Sequence, residues 1–434
     1  MRFHILSTAR PVRYLACLLG LGGLVVGATV SGGLSSAQAA TGCQVQYADC
    51  SGGSAIWRNP VLSAETSSQD SSPSSDWSLS STVPSLSIST RTQNDTAPQL
   101  HVDGNELVDA SGIQVVLHGV DRSGTEFDCL GGNEIFDGPS DQASITAMKT
   151  WGINAVRVPL NEACWNGESY VNPATAGANY QSAIEAYVSL LNANDIVAIL
   201  DLHWTDGLYT GNSAGCSSAE ALCQKPMPDS AESVPFWSTV ATAFKGNDSV
   251  IFDLFNEPYP DRALSSETAA WQCWLNGGPA CTAGISYPVA GMQTLVNTVR
   301  ATGANNVIML GGLAYSNDLT QWLTYEPTDP DHNLAASWHS YNFNACITRS
   351  CWISQISPVI AKVPLIVGEI GENDCAADYI DPLTAWLDTK HASYLAWAWN
   401  ADFGCASGPG LITNYTGKPT AYGAGYENRL RSLA

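Results

Sequence analysis

Basic residues are scarce. The 434-residue chain holds 18 Lys+Arg against 40 Asp+Glu, a formal charge of −22. A nucleic-acid binder needs a basic stripe to neutralise phosphates, so that class is excluded and neutral or cationic material is favoured. Beyond residue 30 no stretch approaches the roughly 20 apolar residues that a membrane-spanning helix requires. No Gly-rich phosphate loop follows an early strand, which leaves a doubly wound open sheet without support. No C-x2-C pair faces another, which argues against zinc. What is present in quantity is apolar: 45% of residues, with 14 Trp and 16 Tyr. That suffices for a large packed core and leaves aromatic faces available for stacking.

The first residues read as an address. Arg2, Arg10 and Arg13 precede an apolar run from Leu15 to Val30, and Ala37-Gln38-Ala39 forms a small-residue cleavage pattern. Residues 1–39 are therefore expected to be a secretory signal peptide. Its removal takes three Arg and no acid, moving the charge from −22 to −25. The mature chain keeps twelve of the 13 Cys. They fall as Cys43/Cys50, Cys129/Cys164, Cys216/Cys223, Cys273/Cys281, Cys346/Cys351 and Cys375/Cys405, read as six local bridges in an oxidising, extracellular compartment. Residues 40–60 form a short disulfide-closed piece. Its Gly42-Cys43-Gln44-Val45-Gln46-Tyr47 resembles the opening strand of bacterial family 2 cellulose-binding modules, yet it is far too short to be one. Residues 61–97 hold 13 Ser and 5 Thr, a polar linker unable to pack a core.

From residue 98 to 434 the pattern alternates. A hairpin comes first, from Leu100 to Val108 and beyond, turning at Asp103-Gly104-Asn105. Short apolar runs follow at Val115–Val120, Ala155–Pro159, Ile196–Leu202, Val250–Phe255, Val307–Leu310, Leu334–Trp338, Leu365–Val367 and Tyr394–Trp399. Helical patterns separate them, among them Gln142–Thr150, Tyr180–Ala193, Val234–Phe244, Val289–Thr302 and Tyr379–Thr389. Eight strand runs alternating with helices predict an α/β chain folded as a (β/α)8 TIM barrel.

Polar residues end these runs. Arg157 follows the second, His203 the third, Asn256-Glu257 the fourth, His339 and Tyr341 the sixth, Glu369 the seventh and Trp399-Asn400 the eighth. In a TIM barrel the strand C-termini face one cleft. Two glutamates across such a mouth suit glycosidic-bond hydrolysis, where one carboxylic acid protonates the leaving oxygen and the other carboxylate attacks or activates water. Arg157 is placed to keep Glu369 ionised, Asn256 to bond a sugar 2-hydroxyl, and Trp399 to offer a flat face to the ring. Trp397, alternating with Trp399, is expected to point into the helix layer. Asp201 and Asp253 lie inside strands and read as structural.

Val156-Arg157-Val158-Pro159, Asp201-Leu202-His203, Phe255-Asn256-Glu257-Pro258, Trp338-His339-Ser340-Tyr341, Val367-Gly368-Glu369-Ile370-Gly371 and Trp399-Asn400, in this order, resemble the signatures of glycoside hydrolase family 5. The resemblance covers Leu100 to the C-terminus. It implies a retaining double displacement with Glu257 as acid/base and Glu369 as nucleophile. Tyr341 would lie near the nucleophile, with His339 and Arg157 orienting the pair, His203 and Asn256 holding the sugar, and Trp399 forming the floor. The expected activity is a secreted, monomeric endo-β-1,4-glucanase acting on polysaccharide, with no cofactor, no metal and no membrane or nucleic-acid partner. A mannanase or β-1,3-glucan hydrolase on the same machinery, and a non-catalytic carbohydrate-binding barrel, are the alternatives. Trp165, Trp204, Trp271, Trp274, Trp338 and Tyr259 are further candidates for outer sugar sites. The five bridges of this region all join segments that follow strands, so they are expected to brace the catalytic face.

Overall fold

The computed structural model describes residues 96–434 except Asn133, Ser407 and Ala434. The expected signal peptide, the Cys43/Cys50 piece and all but the last two residues of the expected linker lie outside the described residues. Thr96 and Ala97 do not: Ala97 is buried and its amide donates to the Asn192 carbonyl, so the packed region already includes the end of that stretch.

An antiparallel hairpin opens the fold, β1 (Leu100–Asp103) and β2 (Glu106–Asp109), turning at Gly104 with φ 62°. Eight parallel strands then close a barrel in chain order: β3 (His118–Asp121), β4 (Ala155–Asn161), β5 (Val197–Trp204), β6 (Val250–Asp253), β7 (Ile308–Gly311), β8 (Leu334–Tyr341), β9 (Leu365–Gly371) and β10 (Ser393–Ala396), which pairs back to β3. Parallel strands covered on both faces have no polar side, which is why they read as continuous apolar runs. All eight expected strands appear with shifted ends, and two of the shifts are instructive. The first starts at His118 because Val115 is taken by the hairpin, its amide donating to Leu107. The eighth stops at Ala396, short of Trp399.

Helices Gln142–Thr150, Ala178–Asn192, Ser233–Phe244, Met292–Ala301, Ile380–Asp388 and Ala421–Arg431 lie between strands and after the last. The first shows the local logic. Asp141 caps it, accepting from the Ser144 amide, and Ile145 and Met148 turn inward at helical spacing. Gly152, at φ 84°, follows its end.

Alternation splits each barrel strand between two cores. Val156, Val158, Ala198, Leu200, Phe252, Leu310, Ala336 and Val367 join the layer under the helices. Ala155, Val197, Ile199, Ile251, Met309, Ala335, Ile366 and Leu395 fill the barrel's lower interior with Leu100 and Leu107 of the hairpin, which seals that end. Burying each larger side chain contributes roughly 1.5–3 kcal/mol. All five bridges expected between residues 129 and 405 are present, Cys129–Cys164, Cys216–Cys223, Cys273–Cys281, Cys346–Cys351 and Cys375–Cys405. Every one joins segments that follow strand C-termini, so they staple the loops around the open end of the barrel.

Candidate active site

The same alternation that fills the lower barrel with aliphatic groups carries charge into its upper half. Two residues above Ala155 stands Arg157, fully buried. Its Nε donates to Asp253 Oδ2 at 2.9 Å, and Nη1 donates to Asp121 Oδ1 and to Glu369 Oε1, both at 2.9 Å. Nη2 donates to Asn256 Oδ1 at 2.8 Å and lies 3.0 Å from Asp201 Oδ2. One guanidinium cannot balance four carboxylates. Desolvation pushes Asp121, Asp201 and Asp253 upward against the pull of Arg157, Asp201 to about 8. Asp201 and Asp253, expected to be structural, are thus the residues that lock Arg157.

Glu369 reaches this network through a bulge. Ile366 faces inward and Val367 outward, but the pairing of β8 with β9 slips between Trp338↔Val367 and His339↔Glu369. The extra residue, Gly368, reverses the parity, so Glu369 also points inward. A Cβ on Gly368 would lie 2.9 Å from His339 Nε2, so glycine is what leaves room for the histidine. Two donors meet the Glu369 carboxylate: Arg157 at Oε1 and the Tyr341 hydroxyl at Oε2.

Glu257 follows β6 and is partly open. Its Oε1 lies 3.1 Å from His339 Nδ1, and His339 Nδ1 is 3.6 Å from Glu369 Oε2. One oxygen of each carboxylate and a ring nitrogen of His339 all fall within 4.8 Å of one another. Burial pushes Glu257 well above the usual carboxylate range, and the neighbouring Glu369 charge adds to the push. Burial, with Arg157 and His203 nearby, holds His339 well below 6.5, so it is neutral. His203 is also driven down, to about 4, chiefly by desolvation. Its Nδ1 contacts Asp201 Oδ2 at 2.6 Å, while its Nε2 lies 3.4 Å from Asn256 Nδ2. Because Arg157 holds Asn256 Oδ1, the Asn256 amide group is turned toward His203 and Gln224, donating to Gln224 Oε1 at 2.9 Å.

Seven of the eight expected site residues therefore converge: Arg157, His203, Asn256, Glu257, His339, Tyr341 and Glu369. Trp399 does not. It is fully buried beneath Gly417, edge-on to Trp151 at 5.0 Å, in the helix layer. Trp397 occupies the place expected for it. This ring is half-buried and lies nearly parallel to His203 at 5.5 Å and to Phe403 at 6.3 Å. The parity argument fails here because the strand ends at Ala396, before either tryptophan. Trp165, Trp271, Trp274 and Trp338 are fully buried, and Tyr259 and Trp204 nearly so; they belong to the packing under the loops. Exposed aromatic faces come instead from Phe343, stacked on Tyr341 at 5.1 Å, and from Tyr170.

Residues 108–403 match the profile of cellulase, glycosyl hydrolase family 5. The chain belongs to this family. Among curated relatives, Endoglucanase B of Clostridium cellulovorans is 28% identical over 239 residues, 52% of this chain and 48% of that protein. Mannan endo-1,4-beta-mannosidase of Cellvibrio japonicus is 22% identical over 333 residues, 74% of this chain and 64% of that protein. The chain thus spans about half to two thirds of these relatives' lengths. A β-glucanase structure from Saccharophagus degradans shares the fold, with TM-score 0.59, 18% identity, and coverage of 78% of this chain and 94% of that one. Among the described residues no helix is long and apolar enough to cross a membrane.

Proposed function

We propose that this chain is a secreted retaining endo-β-1,4-glucanase. The observation that carries the reading is that one oxygen of Glu257 and one of Glu369 lie within 4.8 Å of each other, on either side of His339 Nδ1 and in unlike surroundings. Retaining glycosidases hold their two carboxyl groups about 5–5.5 Å apart, whereas inverting ones leave about 6.5–9.5 Å for a water. Glu257, pushed upward by burial and by the Glu369 charge, is suited to arrive protonated and to give its proton to the leaving oxygen. Glu369, anchored by Arg157 and Tyr341, attacks the anomeric carbon and forms a glycosyl ester. Esterification removes the Glu369 charge, and with it part of the push on Glu257, which then takes a proton from the incoming water. Asn256 is turned to meet a 2-hydroxyl, and Trp397 with Phe403 offers the sugar floor first assigned to Trp399. Five disulfides suit an oxidising compartment outside the cell.

A β-1,4-mannan substrate is the second reading, favoured by the longer match to the mannosidase. Reducing-sugar release from carboxymethyl-cellulose, mixed-linkage β-glucan, laminarin, glucomannan, galactomannan and xyloglucan separates the two. Activity on the β-1,4-glucans that disappears in Glu369→Ala is the expected result. Turnover confined to galactomannan would replace the substrate. No turnover of any polymer would point to a carbohydrate-binding barrel.

A further inference from the structure

Three acids gather in the loop after β9, outside the catalytic cleft. Glu372, Asp374 and Asp378 each place a carboxylate oxygen within 4.8 Å of the others. Among the described residues no Lys, Arg or His forms an ion pair with them. Asp374 and Asp378 are exposed, and surface acids alone would mean nothing.

Glu372 is different, because it is fully buried. Its Oε1 accepts the Tyr379 and Ile380 amides at 2.9 and 2.7 Å, but its Oε2 is buried with no hydrogen-bond partner. A second orphan belongs to a residue that contacts Asp374. Asn342 Nδ2 donates to Asp374 Oδ2 at 3.2 Å, while Asn342 Oδ1 is buried and unpartnered. Asp374 Oδ1 accepts the Ala376 amide at 3.1 Å, which fixes that carboxylate in the loop. The Cys375–Cys405 bridge ties the loop down within the same seven residues.

A buried oxygen without a donor costs about 1–3 kcal/mol, more if charged, and like charges this close repel. Oxygen-only ligands, uneven in depth and open on one side to water, suit a hard cation of loose geometry rather than the octahedral demands of Mg²⁺. We propose that Glu372, Asp374 and Asp378, with Asn342 Oδ1, form a Ca²⁺ site that ties the loop after β9 to the end of β8. Asn342 directly follows Tyr341, and Glu372 lies three residues past Glu369. The cation would therefore brace, from outside the cleft, the two segments that hold the proposed nucleophile and its hydroxyl partner.

The test is Ca²⁺ titration into the full chain stripped with EDTA, by calorimetry, with thermal unfolding alongside. A one-to-one isotherm, a Tm that rises with Ca²⁺ and falls again with EDTA, and weaker binding of Mg²⁺ are expected. Asp378→Asn and Asp374→Asn change exposed side chains, so they leave the fold intact; each should weaken Ca²⁺ binding at least about tenfold and remove the Tm response. An absent isotherm at millimolar Ca²⁺, or a Tm response unchanged in both variants, would overturn the site. Binding lost in Glu257→Gln but kept in Asp378→Asn would move the cation to the cleft and equally overturn it.

Discussion

The two halves of the barrel interior are built from the same strands, two residues apart, and they are chemical opposites. Ala155 gives way to Arg157, Ile199 to Asp201 and then His203, Ile251 to Asp253, and Ala335 to Ser337 and then His339. Below, aliphatic side chains close against the Leu100 and Leu107 hairpin and leave nothing to titrate. Above, one guanidinium holds four carboxylates and an amide. The lower half supplies stability that any well-packed set of similar volume could supply. The upper half spends stability on placing two glutamates, since buried charges cost more to desolvate than most pairs return.

Cutting each half once separates these roles, and the largest effect belongs above. Arg157→Met leaves four buried carboxylates without their cation. It should cost about 3–5 kcal/mol in denaturant unfolding and abolish turnover even in the fraction that folds. Ile199→Ala, in the lower half, should cost about 2–5 kcal/mol through its cavity while leaving kcat of the folded protein within about twofold. Equal loss of kcat in both variants would break the distinction.

The two tryptophans sharpen it at the rim. Trp397→Ala should raise KM for polymeric substrate by about tenfold or more, with little change in Tm, since its ring is half-buried beside His203. Trp399→Ala should do the reverse, costing about 3–5 kcal/mol with KM unchanged. Gly368→Ala is a smaller, more pointed cut. Its Cβ would press on His339 and lower kcat on the order of tenfold, as read by steady-state kinetics, with an overpacking cost of about 1–3 kcal/mol in stability.

The last effect is in pH. A carboxyl raised on folding stabilises fully below its unfolded value and loses that contribution as pH rises through its folded value. Asp201, raised from 3.8 to about 8, should therefore make the protein progressively less stable from about pH 4 to 8, with no further loss above that, and Asp201→Asn should flatten that slope in calorimetric scans.

Much of this was legible in the chain because each apolar run ends on a polar residue, and a barrel leaves only one place for such residues to meet. Arg157, His203, Asn256, Glu257 and Glu369 needed no more than that. Trp397 was misplaced because alternation was carried past Ala396, where no strand supports it. The bulge at Gly368 was invisible, since one extra residue leaves no mark in an apolar run. Close spacing was enough to pair six of these ten cysteines, because short loops leave few other partners in reach, and Cys129/Cys164 and Cys375/Cys405 followed as the remainder. Glu372, Asp374 and Asp378 matched no metal spacing; only the buried, unpartnered oxygens single them out.

The central claim is that Glu369 is the nucleophile of a retaining reaction. It is tested most directly by incubating the protein with a dinitrophenyl 2-deoxy-2-fluoro-β-cellobioside, which forms the glycosyl ester but hydrolyses it slowly, and by peptide mass spectrometry. Here the prediction is one fluorocellobiosyl unit on the peptide containing Glu369, with no adduct in Glu369→Ala. An adduct on another residue, or steady turnover of the β-1,4-glucan with inversion at the anomeric carbon and no adduct, would contradict it.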